Sequence, residues 1–182
     1  EYQILHKFFQ DSVGLDLTML SQVKPYFIAS FLFSSALDCQ PVSYETVLME
    51  LVKKDGKEVY GLETIEEQMA IFDSIPYQKQ AKMIMTIIDK LPNAKAEFQE
   101  LTRIYQLGDV EQLYNASKSS SFDMNSESTL MLDKRNQNWI HPMKEQMALA
   151  PTFFAFGAAH LGGEMGIIKL LQKEGYTLRP VK

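Results

Sequence analysis

Three side chains have the type and neighbourhood to do chemistry. His160 closes the small-residue turn Gly157-Ala158-Ala159-His160, after the apolar run of residues 153–156 and before a Gly162-Gly163 step. Ile167, Ile168, Leu170 and Leu171 then recur at helical spacing, Lys173-Glu174-Gly175 closes that helix, and residues 176–178 read as a strand. The pattern predicts a strand, turn, helix, strand unit that places His160 at the carboxyl edge of a sheet, where α/β proteins hold ligands. Glu63 ends the run Val59-Tyr60-Gly61-Leu62-Glu63, so it too falls between a predicted strand and the next helix. A carboxylate and an imidazole at adjacent strand ends suit metal ligation or general-base work on water. Arg135, on a predicted helix with Leu132 and Trp139, is the third candidate, because an inward arginine requires a carboxylate or an anionic ligand.

Each residue also has a plainer reading. Glu63 can be a solvated first-turn glutamate favoured by the helix dipole. His160 can be bonded to backbone in a tight turn, although the glycines and alanines around it would let a ligand approach closely. Arg135 can be an exposed helix cation paired with Asp133 or Glu127. His6 and His141 receive no role, and the ten methionines read as core filling. Walker, GxGxxG, HExxH, GxSxG and CxxC patterns are absent from the sequence.

The elements that must position these groups are mostly helical. Helices are predicted over residues 17–23, 25–39 and 44–54, the last ended by Asp55-Gly56. A strand is expected at 57–61. Thr64 with Glu67 three residues on forms a capping box that starts a helix to Asp73. Pro76 opens a helix to Leu91 that Pro92-Asn93 should end, and another amphipathic helix runs past Phe98 to Gly108-Asp109, with a short successor to Tyr114. Residues 116–122 read as a mobile connection, and a helix from Asn125 or Ser126 should be kinked or divided at Pro142.

With 182 residues, 46% of them hydrophobic, one domain is expected. A net charge of -5 and the lack of a basic cluster argue against a nucleic-acid partner. The single cysteine, Cys39, cannot form an internal disulfide and reads as a small buried hydrophobe. Residues 25–38 are the most apolar, yet a bilayer span needs roughly twenty apolar residues, so no transmembrane span is expected. The sequence begins at Glu1 and not at methionine, which reads as a processed chain or a fragment.

Four segments in order carry a family resemblance: GLETIEEQMAIFDSIP at residues 61–76, YQLGDVEQL at 105–113, LDKRNQNWI at 132–140, and FGAAHLGGEMGIIKLLQKEGYTLRPV from Phe156 to Val181. Together they resemble the TraB/PrgY/GumN family, which includes the TIKI metalloproteases. The resemblance implies an α/β fold, rich in helix, with helices packed on a small, mostly parallel sheet. It also implies a cleft shared by Glu63, Arg135 and His160 as catalytic residues, with His160 and Glu63 as ligands of a divalent metal of the Mn, Co or Zn type.

Family members carry a second Gly-x-x-His turn near their N-terminus, which this sequence lacks. The expectation is therefore an N-terminally truncated single domain, 1–182, inactive by itself and able to self-associate through an exposed sheet edge. The resemblance favours an extracytoplasmic location, in the periplasm or cell envelope. It implies a metal-dependent hydrolase acting on peptides or small molecules, in which Arg135 anchors a carboxylate or stabilises developing charge. The alternative from a different class is a non-catalytic protein that binds or sequesters peptides in the same cleft.

Overall fold

A computed structural model of the chain describes residues 2–35, 41–119 and 129–181. In chain order its α-helices are α1 (Tyr2–Phe8), α2 (Pro25–Ser35), α3 (Tyr44–Lys54), α4 (Ile65–Asp73), α5 (Tyr77–Leu107), α6 (Val110–Ser119), α7 (Lys134–Leu149) and α8 (Ile167–Lys173). Short 3₁₀ turns cover Leu17–Leu20 and Ala158–His160, and π-helical turns cover Phe9–Val13 and Thr129–Asp133. Cys39, residues 120–122 and the expected helix start at 125–126 lie outside the described residues.

The local signals act as their chemistry dictates. The Thr64 N–H donates to a Glu67 carboxylate oxygen at 2.7 Å while the Glu67 N–H donates to the Thr64 hydroxyl at 3.1 Å, a reciprocal capping box at the head of α4. The Ser43 side chain caps α3, and Asp109 caps α6 by accepting from the Gln112 N–H at 2.9 Å. Gly108, at φ 70, ends α5.

Two prolines do not break their helices. α5 runs through Pro92 and α7 through Pro142, because proline's fixed φ is itself helical and each costs one i→i−4 bond without dividing the segment. α6 extends to Ser119, so residues 116–119, read as connection, are helical. The helix expected over 17–23 is reduced to the turn Leu17–Leu20.

The larger correction concerns the sheet. Among the described residues there is no strand, so the expected α/β arrangement of helices on a small parallel sheet is replaced by an all-helical architecture with extended connections. The segments read as strands, 57–61, 152–157 and 176–178, are irregular. Phe154 and Phe156 turn inward onto α7 and α8 while Phe153 is 79% exposed. The apolar run is thus satisfied by packing on helices, and strand pairing needs a partner backbone that the described residues do not provide. The sheet edge expected to drive self-association has no counterpart there either.

The chain divides into two compact units. The first comprises Glu1–Pro41 and Met69–Gln99, the second Val42–Gln68 and Glu100–Lys182. In the first, Phe9, Leu32 and Ile75 are fully buried with Ile28, Phe72, Ile84 and Ile87. Gln80 is buried among them: its amide oxygen accepts from the Tyr26 N–H at 3.0 Å, and its amide nitrogen donates to the carbonyls of Phe72 (3.0 Å) and Ile75 (2.8 Å). Gln80→Ala would leave the Ile75 carbonyl and the part-buried Tyr26 N–H without this partner, while the Phe72 carbonyl keeps the Ile75 N–H, so a loss of about 2 kcal/mol is expected in urea unfolding. A change below about 0.5 kcal/mol would mean water replaces the amide.

In the second unit, Trp139, Ile140 and Met143 of α7 pack with Ile167 and Leu171 of α8. Leu62, Phe154, Phe156 and Leu178 cover this cluster from the extended segments. Every candidate residue belongs to this unit.

Candidate functional site

Helix α7 presents Arg135 and Trp139 four residues apart on one face, with Asn136 three residues before Trp139. The Arg135 Nη2 donates to Glu63 Oε1 at 2.5 Å and its Nε to Oε2 at 3.1 Å, a two-pronged ion pair. Its Nη1 donates to the Met131 carbonyl at 3.1 Å, and the guanidinium lies 4.9 Å from the centre of the Trp139 ring. The Trp139 Nε1 adds a third hydrogen bond to the carboxylate, to Oε2 at 3.2 Å. The two charged side chains are only 16% and 17% exposed. Arg135 therefore turns inward and pairs across 72 positions of sequence and not with Asp133, Glu127 lying outside the described residues, and Glu63 is not a solvated helix-start carboxylate.

His160 packs against the same indole, with ring centroids 4.5 Å apart. Its N–H donates to the Gly157 carbonyl at 2.9 Å, closing the turn, and its Nδ1 is 2.6 Å from Asn136 Oδ1. The Asn136 amide nitrogen donates to the carbonyls of His160 (3.2 Å) and Met165 (2.8 Å). Burial pushes the imidazole pKa down to about 4, the Arg135 charge pushes the same way, and the Glu63 charge opposes both. The ring is neutral at neutral pH. His160 is thus a buried group, 8% exposed, and not the rim histidine that a glycine-rich turn suggests.

The glycines after it serve packing more than ligand access. A Cβ on Gly162 would lie 2.4 Å from the Val110 carbonyl oxygen, and one on Gly163, at φ +83, would lie 2.4 Å from the Tyr114 ring. The Gly163 N–H donates to the Glu111 carboxylate at 3.1 Å. Helix α6 therefore occupies the space that the sequence reading left open for a ligand.

Glu63, Arg135 and His160 are brought together around Trp139, as the spacing of their elements could not by itself establish. Asn136 and Trp139 are the residues that the sequence reading left without a role. Their signal was their position on the helix of Arg135, one and four residues on. His6 pairs with Asp16 at 3.4 Å in the first unit, and the exposed His141 with Glu145 at 3.4 Å.

As ligands of a divalent metal, the two expected residues differ. His160 fits: it is neutral, and with Nδ1 engaged by Asn136 its Nε2 is the nitrogen left for a ligand bond. Glu63 does not fit as placed, since both its oxygens accept from Arg135 or Trp139. Asp133 Oδ1 is buried with no hydrogen-bond partner among the described residues, on a turn that packs against Ala158–His160. No group of three His, Cys, Asp or Glu side chains among the described residues could hold an ion.

A family model described as the TraB/PrgY/gumN family matches residues 1–180. The chain belongs to this family. The match reaches further towards the N-terminus than the four motifs that carry the resemblance. Comparison with curated proteins and with solved structures finds no match. No helix among the described residues is long and apolar enough to cross a membrane.

Proposed function

We propose that the chain forms part of a metal-dependent hydrolase of the TraB/PrgY/gumN type, acting on peptides, in which His160 supplies one metal-ligating nitrogen. The observation that carries this reading is the His160 imidazole: desolvated, neutral, and hydrogen-bonded through Nδ1 to a buried amide, the arrangement that ligating histidines use. A pKa near 4 favours ligation over general-base work, because an effective base titrates near the working pH, whereas a ligand needs only to be unprotonated. A bound divalent ion would supply Lewis acidity and a water of lowered pKa. Its remaining ligands would come from beyond the described residues.

In this reading Glu63 and Arg135 neutralise one another and brace the indole that backs His160. The alternative, a non-catalytic peptide binder, required Arg135 to grip a peptide carboxylate. Glu63 already holds that guanidinium, which weighs against it.

The test is calorimetry with Mn²⁺ and Zn²⁺ on the chain and on His160→Gln, beside a peptide-cleavage assay. At least tenfold weaker metal binding in the variant is expected, in line with the cost of disturbing a metal's surroundings. Equal affinity in both proteins, with circular dichroism showing both folded, would remove His160 from the metal.

A further inference from the structure

Asn136 is 1% exposed on α7, and every polar atom of its side chain has an assigned partner on or beside the His160 turn. We infer that Asn136 is a positioning residue for His160, fixing the imidazole as its Nδ1–H tautomer so that the Nε2 lone pair is the ring's free acceptor. The orientation of the Asn136 amide decides the tautomer of the ring. Two carbonyl oxygens, of His160 at 3.2 Å and Met165 at 2.8 Å, face one end of that amide, and only its NH₂ can satisfy them. The flipped amide would set an oxygen against both carbonyls. Oδ1 must therefore face the His160 Nδ1, 2.6 Å away, and a contact that short between an amide oxygen and a ring nitrogen requires the nitrogen to carry the proton.

The same amide holds the turn and the ring together. By bonding the carbonyl of His160 and the ring of His160, it ties the side chain's orientation to the backbone that carries it. Trp139 closes one face of the ring at 4.5 Å, so rotation about the Cβ–Cγ bond would break both packing and hydrogen bond. Aspartate would serve less well at 136, because it lacks the N–H groups that the two carbonyls need. Use of Nε2 as a metal ligand rests on the reading above; the tautomer does not.

The experiment is long-range ¹H–¹⁵N correlation on the uniformly ¹⁵N-labelled chain at neutral pH without added metal. The chain has three histidines, and His160 is identified by its absence in His160→Gln. Expected are a pyrrole-type, protonated Nδ1 and a pyridine-type, unprotonated Nε2. A protonated Nε2 in the wild type overturns the inference. Asn136→Asp keeps an acceptor beside Nδ1 and should retain the tautomer, whereas Asn136→Leu removes it and should move protonation to Nε2 in a substantial fraction of molecules. A wholly unchanged Nδ1–H in a folded Asn136→Leu protein overturns the positioning role. If the leucine variant does not fold, Asn136→Ala, which removes the same acceptor with a smaller side chain, carries the same expected and overturning results. Failure of the metal reading would show in the calorimetry and leave these spectra unmoved.

Discussion

Trp139→Ala is expected to destabilise the second unit by about 4 kcal/mol, the typical cost of removing a buried aromatic side chain. Trp139 is 4% exposed and sits between α8, Phe156, Arg135 and His160, so its loss leaves a cavity that no single neighbour can fill. It also deprives Glu63 of its third hydrogen bond. Trp139→Phe is milder: the phenyl ring keeps much of the packing but leaves part of the indole's volume empty and loses the N–H to Glu63, so about 2 kcal/mol is expected. Both are read from urea unfolding followed by circular dichroism, because the chain has one tryptophan and the variants lose its fluorescence. A loss below about 1.5 kcal/mol for the alanine variant would contradict the central place of the indole.

Acid should weaken the fold through His160. The folded-state pKa is lowered to about 4 from 6.5, so between those values the unfolded chain binds a proton that the folded chain refuses. The stabilisation is fully present above pH 6.5, falls as the pH drops, and is lost by about pH 4, where both states are protonated. The difference corresponds to about 3 kcal/mol. Urea midpoints measured from pH 7.5 to pH 4 should fall more steeply for the wild type than for His160→Gln, which cannot titrate at this position. Parallel profiles would mean that the imidazole is solvated.

Helices and their caps were legible because their signals are local. Thr64 and Glu67 bond reciprocally at the spacing their sequence offers, and Tyr44–Lys54 begins and ends where Ser43 and Asp55-Gly56 place it. The sheet was misread because an apolar run such as residues 153–156 reports that part of it is buried, not what buries it. Phe154 and Phe156 meet helices α7 and α8. Glu63, Arg135 and His160 could be nominated from type and setting, but the bond between Glu63 and Arg135 spans 72 positions, and no local pattern encodes it. Asn136 was harder still. A buried amide with three partners looks, in sequence, like any polar residue on a helix.

The methyl-free corner after His160 has a consequence for which sequences can carry this site. At 162, 163 and 166 an added Cβ would lie 2.3–2.4 Å from a carbonyl oxygen or the Tyr114 ring, far inside van der Waals contact. Variation there is limited by steric exclusion, not by chemistry: even alanine, the mildest replacement, must push helix α6 or the turn itself out of place. A library randomised across these positions and sorted for folded protein would therefore return glycine at all three, whether or not it was ever asked to bind or cleave anything.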